Sequence, residues 1–175
     1  MGLKPRLLNL LAYQCAWLAC VLGTANQLPL LGVGVAGAVL LLHLSVAALP
    51  ERELALAMIA VLAGGLFETA LVTSGWVQTN DPLLLGGTTP VLMVALWAAF
   101  ATTLNVTLRP LRDRPWLCAA VAAVGAPLAY QAGSKLGALV LIDALPALVL
   151  VSAGWAVVLP LLMRVARRLD GFAPA

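Results

Sequence analysis

Apolar residues run through this chain in six long blocks, separated by short clusters of prolines, glycines and charges. The blocks are Leu7–Gly23, Leu28–Leu49, Leu54–Val77, Pro90–Leu108, Trp116–Ala132 and Leu139–Met163. Each falls in the range of roughly 17–25 residues that carries a helix across a bilayer. The breaks hold strong turn signals: Pro50 with Glu51-Arg52-Glu53, Asn80-Asp81-Pro82 and Gly86-Gly87, and Arg109-Pro110 through Arg114-Pro115. The pattern predicts an all-α polytopic membrane protein: one integral-membrane domain over residues 1–175, a bundle of six transmembrane helices. It becomes five if the first is cleaved. That first block resembles a signal peptide in its basic start and Gly23-Thr24-Ala25 exit, but its apolar stretch is longer, so a retained signal-anchor is expected. The last block is the least regular. Asp143 and Pro146 lie inside it, so its membrane part is expected to begin nearer Ala144, with Leu136–Ile142 interfacial or re-entrant.

Composition sharpens this. The chain is 63% hydrophobic and only 10% charged, where a soluble domain carries about 25% charged residues. Too few charges remain to cover a water-facing surface. The charges also orient the bundle. Lys4, Arg6, Arg52, Arg109, Arg112, Arg114, Arg164, Arg167 and Arg168 fall on one side, and Lys135 alone on the other. Positive residues favour the cytoplasmic side, so both termini are predicted to be cytoplasmic and any homo-oligomer parallel. The same residues make no basic patch interleaved with aromatics, and no nucleic-acid partner is expected. Membrane lipid, a further copy or another membrane protein are the expected partners. Cys15, Cys20 and Cys118 lie in apolar runs without metal or redox spacing and read as small buried hydrophobes.

Small residues supply packing faces: Ala12, Ala16, Ala19 and Gly23; Gly34 and Ala38; Gly64 one turn before Glu68; Ala98, Ala101, Thr102 and Asn105. Trp76 and Trp116 fit an interfacial aromatic belt. Trp17, Trp97 and Trp155 lie deeper and read as packing residues.

Glu68 is the only charge within Leu54–Val77. A carboxylate at that depth costs roughly 2.5–3.5 kcal/mol on insertion scales, so it needs a partner, a proton or a task. Topology places Glu68 slightly beyond mid-membrane, on the same half as Tyr130, Gln131, Lys135 and Asp143. These five residues are the candidate lining of an outward-opening polar cavity. Glu68 would be protonated there, paired with Lys135, or hydrogen-bonded to Tyr130 and Gln131; the plainer alternative is a neutral acid bonding helices together. A second candidate polar cluster, Asn9, His43 and Asn105, falls on the inner half. A hydrogen-bonded packing role is the plainer reading of His43 and Asn105.

Several chemistries find no support. Ser74 and His43 fall on opposite halves of the bilayer, so a serine nucleophile has no base. One histidine cannot supply a metal centre, and no phosphate-binding glycine loop occurs. No catalytic residue, cofactor or metal is predicted. The two halves of the chain share no pattern, so inverted repeats are unsupported.

Three stretches carry a family resemblance: Asn9 to Gln14 leading through Trp17 to Asn26, Leu96 to Asn105, and Gly125 to Ala138. They resemble a bacterial domain-of-unknown-function family, family 2878, of small multi-pass inner-membrane proteins. The resemblance implies a bacterial inner-membrane location and an envelope or lipid-linked role, because members are often encoded near lipid-modifying genes. Members often carry Asp-Ser where this chain has Glu68-Thr69. The expected function is structural or accessory to lipid or envelope processes. A small transporter or channel using Glu68 as a proton- or cation-linked site, and a membrane-embedded lipid-modifying enzyme, are the alternatives.

Overall fold

A computed structural model describes residues 2–86 and 89–173. Gly87, placed by the sequence in the third break, lies outside them. Six α-helices form the bundle: α1 (Leu3–Ala25), α2 (Pro29–Val46), α3 (Pro50–Thr73), α4 (Val91–Leu104), α5 (Pro115–Lys135) and α6 (Ala144–Arg168). All except α4 are long and apolar enough to cross a membrane. Large apolar side chains face outward around the bundle, with Leu66 76% exposed. An apolar solvent is the natural surrounding for such a surface.

The predicted blocks each hold a helix, but their limits differ. α1, α3, α5 and α6 run past their blocks at one or both ends, because long basic side chains at a helix end can reach toward water while the backbone stays helical. α3 starts at Pro50 and takes Glu51 and Glu53 into its first turn, where proline at the first position and acidic side chains suit a helix N-terminus. Conversely, 74–77 and 139–143 lie outside helices. Val77–Thr79 (β1) pairs antiparallel with Leu139–Leu141 (β4), so the ambiguous stretch before Ala144 is part of a short ribbon. A second pair joins Leu84–Leu85 (β2) to Thr89–Pro90 (β3).

α4 ends at Leu104 instead of Leu108 and has only 14 residues. It is also the most enclosed helix, touching α1, α2, α3 and α6. Its start is held from outside: the Asp81 carboxylate accepts from Leu92 N–H at 2.7 Å and from Leu83 N–H at 3.0 Å. α5 ends on Gly137, whose φ is +89°. There Ala138 N–H bonds Gly133 O at 3.0 Å and Gly137 N–H bonds Ser134 O at 3.1 Å, the left-handed closure that glycine permits.

α1 and α2 approach through Gly32. A Cβ there would lie 2.4 Å from Cys20 Cα. α2 therefore packs by Gly32 and Ala36, not by the expected Gly34 and Ala38, which are exposed. Within α5, Pro127 has no N–H to give Ala123 O. The Ser152 hydroxyl of α6 donates to that carbonyl at 2.8 Å, which repairs the gap. One end of the bundle gathers both chain termini and the α2–α3 and α4–α5 turns; Leu49 N–H bonds Gly171 O there. The opposite end gathers the α1–α2 turn and the ribbon, where Asn80 Nδ2 bonds Gly137 O at 2.8 Å.

Candidate functional site

The first buried polar centre forms around Glu68 on α3, which is 2% exposed. Its Oε1 accepts from Tyr130 OH of α5 in a short hydrogen bond and from Trp97 Nε1 of α4 at 3.2 Å. Gly64 makes this geometry possible. A Cβ at Gly64 would stand 2.1 Å from Trp97 Cδ2, so only a bare backbone lets the indole lie across α3 one turn before the acid. Trp155 of α6 stacks on Trp97 with centroids 4.5 Å apart and planes 18° apart, and Phe100 meets both rings edge-on. The Trp155 Nε1–H is buried beside the Tyr130 hydroxyl, without a well-aligned hydrogen bond to it.

A cavity of about 210 Å³ lies against this centre. That is far more than the roughly 10–15 Å³ one water needs. Its walls are mostly apolar: Tyr13, Trp17 and Val21 from α1, Leu96, Trp97 and Phe100 from α4, Trp155 and Leu159 from α6. α5 contributes small residues, Ala122, Gly125, Ala126, Ala129 and Gly133. The α5 lining runs from Val121 to Gly133, about 18 Å at about 1.5 Å per residue. The cavity is therefore a long slot along the helix axes, more than half the roughly 30 Å hydrocarbon thickness of a bilayer. α1 and α5 flank it without packing closely on one another.

This corrects the expected polar cavity. Glu68 and Tyr130 are brought together, but Gln131, Lys135 and Asp143 neither line the slot nor bond Glu68. Lys135 and Asp143 are exposed, and Gln131 is half-buried. Asp143 is the residue before α6, and Lys135 closes α5. Trp97 and Trp155 are more than packing residues, since one bonds the acid and both line the slot. The spacing Gly64-x-x-x-Glu68 carried the signal: a small residue one turn from an acid leaves room for a large partner.

The second centre gathers at the end that holds the termini, and its hub is Glu53. The sequence places that residue in a turn; the structure buries it to 2% exposure. Glu53 Oε1 accepts from Asn105 Nδ2 and from Gly171 N–H, both at 2.7 Å. Its Oε2 lies 2.9 Å from His43 Nε2. Asn105 Nδ2 also donates to Leu169 O at 3.1 Å, and Phe172 packs edge-on against His43 with centroids 5.1 Å apart. His43 and Asn105 are joined through Glu53. Asn9 stands apart, accepting from Thr107 Oγ1 at 2.6 Å and donating to Thr102 O at 3.2 Å.

An ion-pair cluster adjoins this centre. Asp170 meets Arg109 at 2.9 Å and Arg112 at 2.8 Å. Burial pushes the Asp170 carboxyl up, but hydrogen bonds from Arg112 and Phe172 N–H and the charges of Arg112 and Arg109 outweigh it, so it titrates below its ordinary value. Arg112 also donates a short hydrogen bond to Asn105 Oδ1. Among the described residues no group of His, Cys, Asp and Glu is arranged to hold a metal.

Residues 6–161 match the model of a protein family described as a protein of unknown function, DUF2878. No curated protein and no solved structure matches the chain.

Proposed function

Because the chain belongs to this family of unknown function, its activity has to be read from the site, and we propose that it is a bacterial inner-membrane protein that holds a lipid chain in the slot beside Glu68, in a role accessory to lipid or envelope processes. One observation carries the reading: the slot is long, apolar and flanked by two helices that do not close on each other. A hydrocarbon chain entering sideways from the bilayer fits such a space. Only one stretch of its wall is polar. There Glu68 with Tyr130 and the poorly aligned Trp155 N–H would meet an oxygen-bearing group on the ligand, since a buried donor is more stable with a well-placed acceptor. Both termini lie on the cytoplasmic side in this reading, because the termini end of the bundle carries nearly all the basic residues.

Proton- or cation-linked transport is the second reading. It is favoured by the aromatic rings around the carboxylate, which suit a lipophilic cation.

The test fills the slot. A Cβ at Gly125, one of the slot's lining residues, meets nothing within 4 Å, so Gly125→Leu starts its side chain in open space and adds bulk to the slot. Wild-type protein in mild detergent should carry co-purified lipid detectable by mass spectrometry, and Gly125→Leu should carry at least one lipid fewer per chain at unchanged thermal stability. Equal lipid in both proteins would sink the proposal. Tight binding of tetraphenylphosphonium that disappears in Glu68→Gln would move the reading to transport.

A further inference from the structure

A second concavity lies at the opposite end of the α5–α6 pair from the ribbon, between the start of α5 and the last turns of α6. It is about 420 Å³ and is separate from the slot. Its rim carries Arg112, Arg164, Arg167 and Arg168, and its floor includes Cys118, Pro160 and Met163. We propose that this groove binds the phosphate of an anionic phospholipid, with the upper acyl segment lying on the apolar floor.

The charge balance argues for it. Basic residues beyond a helix end orient a membrane protein wherever they stand, and need not converge. Here four guanidiniums border one hollow. Asp113 is the single carboxylate among the lining residues, and it is taken by Arg167 in a short ion pair. Arg112 is tied to Asp170 and Asn105, while its Nε–H is buried without a partner. Arg164 and Arg168 have no carboxylate partner among the described residues. A planar guanidinium fits a phosphate with two parallel hydrogen bonds.

Depth argues for the same ligand. The rim sits at the end of a 25-residue apolar helix, where headgroups lie. The apolar floor favours a phosphate that carries a chain over free phosphate. Basic pockets between helices at a membrane face are suited to such headgroups.

Native mass spectrometry of the detergent-solubilised full chain tests this. Probes are phosphatidylglycerol, phosphatidylcholine and inorganic phosphate. Wild type should retain phosphatidylglycerol over phosphatidylcholine, and Arg164→Gln with Arg168→Gln should lower that retention by about tenfold, the scale of one charge-assisted hydrogen bond. Arg52→Gln with Arg114→Gln removes equal charge outside the groove and should leave it unchanged. Equal retention of the two lipids, an unchanged groove variant, or an equal loss in the control variant would each overturn the proposal. Displacement by millimolar inorganic phosphate alone would overturn the lipid assignment in favour of a soluble phosphate. Gly125→Leu should leave this retention intact, which separates the groove from the slot.

Discussion

Replacing Glu53 probes the second polar centre most sharply. Leucine at this position keeps the bulk and removes the acceptor. Three groups then lose their bond to it: His43 Nε2, Gly171 N–H and one N–H of Asn105 Nδ2, whose other bond to Leu169 O remains. Each buried orphan costs about 1–3 kcal/mol. The three belong to one network, so their costs do not simply add; about 3–5 kcal/mol, the lower part of the summed range, is the better scale. Glutamine retains one oxygen for Asn105 and Gly171, and its amide can donate to His43 in the tautomer whose Nε2 accepts. Its expected cost is about 1–2 kcal/mol, near that of a single hydrogen bond. Thermal unfolding in one detergent should thus rank wild type above Glu53→Gln above Glu53→Leu. The Leu variant should fall by about 6–20 °C, at about 2–4 °C per kcal/mol. Carboxypeptidase should also trim the segment beyond Arg168 faster in the Leu variant, because Leu169 O, Gly171 N–H and Phe172 anchor through this centre. If Leu and Gln variants melt together, or both melt like wild type, the hydrogen-bond account of this centre is wrong.

Other expectations follow from the same geometry. Gly64→Ala forces Trp97 aside and should cost about 1–3 kcal/mol as an overpacked site; combining it with Trp97→Phe should cost less than the two changes summed, and additive unfolding energies would contradict the close contact. Glu68→Leu strands the Trp97 and Tyr130 donors and should destabilise more than Glu68→Gln, as read by unfolding in detergent. The lowered titration of Asp170 means its contribution is present above its ordinary value of 3.8 and fades as pH falls through the lower folded value; wild type and Asp170→Asn should differ in melting temperature at pH 6 and converge on acidification below that window. Reporter fusions should place the N-terminus, residue 112 and the C-terminus on one side and residue 80 on the other; a reporter at 80 that matches the termini would refute the alternation of the helices.

The helices were legible because apolar blocks of membrane length announce themselves without any knowledge of partners. Their ends were not, because charge marks where water begins and not where helical hydrogen bonding stops; Glu51 and Glu53 read as a break and form the first turn of α3. The ribbon strand from Leu139 to Leu141 was hidden inside an apolar run that suits helix and strand equally. At the site, depth alone put Glu68 and Tyr130 on one half of the bilayer. It could not choose between Tyr130 and the pair Gln131 and Lys135, which share another face of α5 at a spacing of four, since helix rotation decides which face points inward. Glu53 went unnoticed for a related reason. A carboxylate beside a proline and an arginine looks solvated until the far end of the chain is seen to fold over it.

The closure at Glu53 also sets an order of events during synthesis. Gly171 follows Glu53 by 118 residues, so at about 5–20 residues per second the carboxylate waits about 6–24 s for its last donor. Through that interval α3 carries an acid whose shell is incomplete, and a chain released early never completes it. The segment around Gly171 therefore reports that synthesis has passed it, and a copy truncated before that point keeps a buried carboxylate short of one donor.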